Sequence, residues 1–466
     1  MAEKADIGVI GLGVMGANLA LNLAEHGFRV AVFDRDASKG AALTQAASGN
    51  SIALCPSEPA LVEALTTPAA LLLSVPAGEP TDAALEALAG LLKPGDIIID
   101  AGNADFNDTR RRTDLLAAKG LQFIGMGVSG GAEGARHGPA LMAGGSAGAW
   151  DSVSSMMTAI AARHGDQPCA ARLGPDGAGH FVKTVHNGIE YADMQMIAEI
   201  YGVMRDGLGL DHDAIAKHFA AWSSGPLSSY LIDITAEVAG AVDPETRRPI
   251  LDLIADRAGQ KGTGRWTLVE AHRLGTVAGT IEAAVAARTL SSATTLRSAL
   301  EGSMAGPVDV SATDLHDALH AGKIISYAQG FDLLHQASEA YSWALDRGQI
   351  ARLWRAGCII RAAMLDDISA AFKADPSPHL LSAPDMASAL RSCLGSLRAV
   401  VSASITAGLP VPALASALGY VDQLTQPRGT ANMIQGLRDR FGAHGFERVD
   451  LPGADHHGPW SGSTGG

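Results

Sequence analysis

Residues 5–34 constrain the fold more than any other stretch. Ile7, Val9 and Ile10 form a short apolar run, followed by Gly11-Leu12-Gly13-Val14-Met15-Gly16. Residues 18–26 carry helical apolar spacing and stop at Gly27, and a second apolar run, 29–33, ends in Asp34. This reads as strand, glycine turn, helix, strand. Gly11 permits the tight turn, Gly13 lets the backbone approach a pyrophosphate, and Gly16 lets helix and strand pack closely. The N-terminus of the helix, opened by Val14 and Met15, attracts the phosphates. In this context the glycine pattern predicts a dinucleotide site. A carboxylate at Asp34 accepts the ribose hydroxyls of NAD and repels the 2′-phosphate of NADP. Arg35 opposes this, because a guanidinium holds a phosphate or stacks on adenine, while Asp36 adds a second negative charge. Two acids against one Arg favour NAD and leave NADP open.

Further strand-like runs cover 70–75, 97–100, 121–125 and 140–143, with helical patterns over 81–92 and 108–119. Alternation of this kind predicts a mostly parallel, doubly wound sheet with ligands beyond the carboxyl ends of its strands. Three loops fall there. Val75-Pro76-Ala77 and Asn103 lie in the first two, and Ser129, Gly130 and Gly131 in the third. Ordinary turn chemistry accounts for each of them equally well.

Beyond residue 177 strand signals nearly vanish. The expected organisation is a Rossmann-type α/β domain (1–177), a large all-helical domain (178–434) and a C-terminal tail (435–466). Within the tail, residues 435–441 read as helical and basic, and residues 442–466, rich in Gly, Pro and His, read by themselves as disordered, with His456 and His457 exposed to solvent. The net charge of −14 argues against generic nucleic-acid binding. No apolar run reaches the roughly 20 residues that span a bilayer. The 4 cysteines are widely separated, giving neither a disulfide framework nor a metal spacing. With no signal-peptide pattern at the N-terminus, a cytoplasmic protein without a metal is expected.

Residues 179–197 read as a helix with an unusual stripe. Lys183, His186, Asn187, Glu190 and Tyr191 occupy i, i+3, i+4, i+7 and i+8, while Phe181, Val185, Ile189, Ala192 and Met196 line the other side. The polar stripe suits ligand orientation and proton transfer, or else is a solvated face. Residues 260–266, with Lys261 and Thr263, form a Gly-spaced basic loop that suits a phosphate, though it is not a P-loop. Arg288, on an Ala-rich helix, is either a salt-bridge partner or an anion ligand.

Taken together, Gly11–Gly16, Asn103, residues 127–131, residues 183–191, 260–264, 288–292 and 441–444 resemble the decarboxylating 6-phosphogluconate dehydrogenase family over nearly the whole chain. The resemblance implies oxidative decarboxylation of 6-phosphogluconate to ribulose 5-phosphate with reduction of NAD or NADP. It makes Lys183 the general base and acid and Glu190 the later proton donor. Asn103, Ser129, Gly130, Gly131, His186 and Asn187 then hold the sugar acid and the nicotinamide end. Tyr191, Lys261, Thr263 and Arg288 bind the substrate phosphate. Arg438 and His444 enter a neighbouring subunit's site, in a homodimer that exchanges tails. Three departures from the family pattern stand out. Val75-Pro76-Ala77 lacks a customary Lys, Ala132 replaces an acid, and Asp34-Arg35-Asp36 replaces Asn-Arg-Thr or Ser. A non-decarboxylating β-hydroxyacid dehydrogenase of the 3-hydroxyisobutyrate type is the alternative; it needs no phosphate cradle.

Overall fold

The computed structural model describes residues 3–460 except 48, 50, 261, 301, 303, 304, 377 and 378. The chain divides into two compact units, Met1–Ala417 and Leu418–Gly466.

The first unit opens with an eight-stranded sheet: β1 Ile7–Ile10, β2 Val30–Phe33, β3 Ile52–Leu54, β4 Ala70–Leu73, β5 Ile97–Asp100, β6 Gln122–Ser129, β7 Ala140–Gly145 and β8 Ala170–Gly174. Their spatial order is β8-β7-β6-β5-β4-β1-β2-β3. The first six strands run parallel, as the alternating pattern predicts, but β7 pairs antiparallel with β6 and carries β8 with it. Strand order reverses beside β1, between β2 and β4, which is where such sheets open a crevice. Ile7, Val9, Ala70, Leu72, Ile97 and Ile99 join one core layer, and Ile10, Leu71, Leu73 and Ile98 the other. Burial on both faces explains why these strands read as continuous apolar runs.

Strands end at Gly174 among the described residues, and helices follow, beginning with a 25-residue helix, Ala178–Gly202. Glycines let it lie against the sheet. A Cβ on Gly127 would stand 2.3 Å from the Lys183 Cβ, and one on Gly144 would stand 2.5 Å from the Gly179 amide. Its far side packs on Ala312–Tyr341, where Gly330 admits Ile189 and Gly322 admits Met196. Between these two helices Lys323 and Asp193 form a fully buried ion pair at 2.7 Å, and Lys323 also donates to Ser229 Oγ.

The second unit corrects the reading of the segment after residue 441 as disordered, as far as residue 460; residues 461–466 lie outside the described residues. The Ala431–Gly442 helix places Asp439, 1% exposed, where the chain folds back on it. Its carboxylate accepts hydrogen bonds from the Gly445 and Gly458 amides, at 3.1 and 2.9 Å, and from Trp460 Nε1 at 2.9 Å. His457 Nδ1 adds a contact at 2.7 Å. A single carboxylate organises a Gly-rich segment that has little apolar core of its own.

Candidate active site

A cleft of about 1120 Å³ runs across the carboxyl ends of the strands to the Ala178–Gly202 helix. One end is the glycine turn. Gly11 has φ +89°, and a Cβ there would stand 2.5 Å from the Ser74 carbonyl oxygen. A Cβ on Gly16 would overlap the Gly11 carbonyl oxygen, so the Val14–Glu25 helix starts hard against β1. Gly13 faces open space, and no side chain caps the helix it begins. Its first amides, beside exposed Val14 and half-buried Met15, are therefore left for a ligand, which fits a dinucleotide pyrophosphate.

Asp34 and Arg35 line the same end. Asp34 Oδ2 accepts the Leu12 amide at 2.7 Å and Oδ1 the Asp36 amide at 2.8 Å. Burial opposes ionisation, but these amides prevail and hold the carboxyl below its usual range. Lys39 Nζ stands 3.5 Å from Asp34 and also faces the cleft. Sequence reasoning missed Lys39; the available signal was a cation one turn into the helix that Asp36 caps.

Val75, Ala77 and Asn103 line the middle. At the far end lies the polar stripe, and it is buried rather than solvated: Lys183 is 9% exposed and His186 0%. Ser129, Gly130 and Gly131 arrive from the end of β6, with Gly130 at φ +110° and Gly131 at φ +63°. Ser129 Oγ lies 3.1 Å from His186 Nε2, and His186 Nδ1 lies 3.4 Å from Lys183 Nζ. Asn187 Nδ2 donates to Asn103 Oδ1 at 3.3 Å, joining the helix to the loop after β5. Glu190 Oε2 is 3.7 Å from His186 Nδ1.

Burial sets the protonation of this group. It lowers the Lys183 pKa, with Glu190 pulling the other way, and it raises that of Glu190 against the pull of Lys183. Burial, reinforced by the Lys183 charge, pushes His186 well below its ordinary value, so the imidazole is neutral. A neutral amine, a neutral imidazole and a protonated carboxyl are thereby accessible side by side.

Tyr191 closes the stripe. The Arg288 guanidinium lies over its ring, 3.6 Å from the centroid. Gly264 lets the Thr263–Arg273 helix press on the same ring, with a Cβ there 2.7 Å from it. That helix follows Gly262 at φ +92° and has no side-chain cap, so the amides near buried Thr263 are available to an anion. Lys261 lies outside the described residues. Gly16 and the side chains of His186 and Arg288 support the cleft without lining it. Ile359 does line it, from a turn more than 150 residues beyond Lys183 in which the Gly357 carbonyl meets Gly130, and no sequence signal marks it. In the second unit, Arg438 Nη1 donates to Gln435 Oε1 at 3.0 Å, and His444 meets the Phe441 ring edge-on at 5.9 Å.

Comparisons with known proteins agree with this geometry. The NAD binding domain of 6-phosphogluconate dehydrogenase matches residues 6–174, and the 6-phosphogluconate dehydrogenase C-terminal domain matches 179–460. The NADP(+)-dependent, decarboxylating 6-phosphogluconate dehydrogenase of Bacillus subtilis is 45% identical, over 97% of this chain and 99% of the relative. The decarboxylating enzyme of Rattus norvegicus is 44% identical over 99% and 98%. The Plasmodium falciparum 6-phosphogluconate dehydrogenase, solved in apo form, with its cofactor NADP+ and with 6-phosphogluconate, superposes with a TM-score of 0.93 at 37% identity, over 98% of this chain and all of that one. The chain belongs to the 6-phosphogluconate dehydrogenase family.

Proposed function

We propose that this protein catalyses the oxidative decarboxylation of 6-phosphogluconate to ribulose 5-phosphate and carbon dioxide, reducing NAD(P). The observation that carries the reading is a buried Lys183–His186–Glu190 group at the end of a cleft whose other end is the Gly11–Gly16 turn. The nicotinamide dinucleotide supplies the hydride acceptor. Neutral Lys183 takes the proton of the substrate 3-hydroxyl as hydride leaves C3, giving a β-keto acid. The bond from C2 to the carboxyl carbon then breaks, and Lys183 returns its proton to the carbonyl oxygen, forming an enediol. Glu190, protonated, delivers a proton to the former C2, which becomes C1 of ribulose 5-phosphate. Ser129, Asn103, Asn187 and His186 orient the sugar acid, with Gly130 and Gly131 letting its carboxylate approach the backbone. Tyr191, Lys261, Thr263 and Arg288 seat the phosphate.

At the adenosine end Asp34, ionised and reinforced by Asp36, favours NAD. Arg35 and Lys39 supply positive charge against that preference. The protein acts as a cytoplasmic homodimer in which Arg438 and His444 complete the partner's site. Residues 1–177, 178–434 and 435–466 form its dinucleotide, helical and tail segments. Initial rates on 6-phosphogluconate with NAD and NADP in parallel, with carbon dioxide captured, test the reading. Reduction without carbon dioxide would favour the 3-hydroxyisobutyrate type of enzyme, for which the Tyr191–Arg288 stack has no use. Absence of reduction with both cofactors would overturn the proposal.

A further inference from the structure

Two loops that face the dinucleotide are tied together from behind by a side chain the mechanism does not use. Arg112 lies on the Phe106–Ala117 helix and is 1% exposed. Its Nη2 donates to the Gly78 carbonyl at 3.0 Å and its Nε to Asp82 Oδ1 at 2.8 Å, while Nη1 stands 3.6 Å from Asp100 Oδ2. Gly78 ends the loop after β4 and has φ +86°, a conformation that fixes where its carbonyl points. Asp100 ends β5, and its Oδ1 accepts the Gly102 amide at 2.9 Å, next to Asn103. The fronts of the two loops, at Val75, Ala77 and Asn103, line the cleft. One guanidinium therefore holds the back of both.

We propose that Arg112 is a positioning residue for the dinucleotide, setting the loops after β4 and β5 at a fixed separation. The inference rests on the reading of the cleft as a dinucleotide site. The planar fork donates in fixed directions to a carbonyl and one carboxylate and sets Nη1 at ion-pair distance from a second carboxylate, and an ammonium on a flexible stem does not reproduce that geometry. Asp100 is completely buried, and its Oδ2 has no hydrogen bond among the described residues. Without Arg112 its charge is left uncompensated, and the Asp100–Asn103 segment relaxes towards water. The larger effect falls on cofactor geometry, since both clamped loops face the dinucleotide through Val75, Ala77 and Asn103, whereas of the proposed substrate contacts only Asn103 belongs to them and the phosphate seat at Thr263 and Arg288 lies on other helices.

The test compares full-length wild type with Arg112→Lys, Arg112→Met and Asp82→Ala. Steady-state KM is measured for dinucleotide and for 6-phosphogluconate, with dinucleotide binding followed directly by calorimetry. Asp82 is the half-exposed partner that aims Nε, and its loss leaves the Gly78 and Asp100 contacts of the guanidinium in place. The expected result is a dinucleotide KM raised about tenfold or more in both Arg112 variants and severalfold in Asp82→Ala, with KM for 6-phosphogluconate raised by a clearly smaller factor, through Asn103 alone. Lysine failing to rescue distinguishes a geometric clamp from a mere buried charge. If neither Arg112 variant folds, Asp82→Ala decides. Unchanged dinucleotide KM in the folded variants, or equal rises in both KM values, overturns the clamp. Wild type that binds no dinucleotide overturns the functional reading and the clamp with it.

Discussion

Lys183 Nζ stands 3.4 Å from His186 Nδ1, less than one turn along the same helix, and both side chains are buried. Burial disfavours the charged form of each, and the nearby Lys183 charge disfavours that of His186 further, so the amine is available as a base beside a neutral imidazole. Lys183→Met removes the group proposed to take the substrate hydroxyl proton, while leaving the glycine turn untouched. Turnover should fall by about 10²–10⁴ or more, with dinucleotide affinity within a few-fold of wild type. Stopped-flow absorbance at the reduced-nicotinamide band, with binding measured separately, checks it. Turnover near wild type would sink the assignment of Lys183.

Burial raises the Glu190 pKa and lowers that of Lys183, and the two shifts act on opposite limbs of the pH profile. As pH falls, Lys183 gains its proton and can no longer accept one, so activity is lost on the acid side. As pH rises through the elevated Glu190 value, the carboxyl loses the proton it is proposed to donate, so activity should be lost on the alkaline side. Wild type should give a bell, and Glu190→Gln a profile whose alkaline limb is flattened, with kcat reduced by about 10²-fold or more. An alkaline limb of unchanged position in Glu190→Gln would assign it elsewhere.

Much of this was legible in the sequence, and the illegible parts have physical causes. β1, β4 and β5 announce themselves because both their faces are buried. β3 does not, because it is a three-residue edge strand with Leu54 46% exposed. The reversed direction of β7 is set by its pairing with β6, which local pattern does not encode. The polar stripe was visible as spacing, yet its burial depends on Gly127 and Gly144, which come from strands far away in sequence. Lys183 and Glu190 could be singled out by chemistry, whereas Ile359 and Arg112 join the site only through the fold. The tail looked disordered because its order comes from one carboxylate, Asp439, rather than from apolar periodicity.

Asp34 gives a prediction about cofactor choice. Its carboxylate is held ionised by the Leu12 and Asp36 amides, at the end of the cleft that the proposed function gives to the adenosine ribose. Asp34→Ala combined with Asp36→Ser removes two negative charges and leaves Arg35 and Lys39. The ratio of kcat/KM for NADP over NAD should rise by about tenfold or more, the scale of one charge-assisted hydrogen bond. An unchanged ratio would refute the role given to this loop.

The Arg288 guanidinium lies over the Tyr191 ring, 3.6 Å from its centroid, a contact that restrains the guanidinium and limits the entropy lost when it binds an anion. Arg288→Ala should raise KM for 6-phosphogluconate by about 10–100-fold, again the scale of a charge-assisted hydrogen bond. The same change should leave the far weaker reaction with unphosphorylated gluconate within about threefold, because the role proposed for the guanidinium is to hold the phosphate and gluconate has none. Equal losses on the two substrates would make Arg288 a structural residue.

Glu199 makes a prediction about stability. It is 4% exposed on the same helix as Lys183, and accepts the Ala413 and Leu414 amides at 2.8 and 2.9 Å. Burial outweighs these bonds and pushes its pKa from 4.5 up to about 7. The folded protein therefore keeps a proton that the unfolded chain releases between those values. Stability contributed by this group is present below about pH 4.5 and is lost as pH rises through about 7, by on the order of 3 kcal/mol in all. Glu199→Gln cannot ionise, and its amide oxygen still accepts at least one of the two amides. Urea unfolding at about pH 5 and about pH 8 should show a smaller loss of stability in Glu199→Gln than in wild type, by about 2–3 kcal/mol. Identical pH dependence in the two proteins would mean that Glu199 is ionised throughout and that its bonds to the Pro412–Thr425 helix overcome its burial.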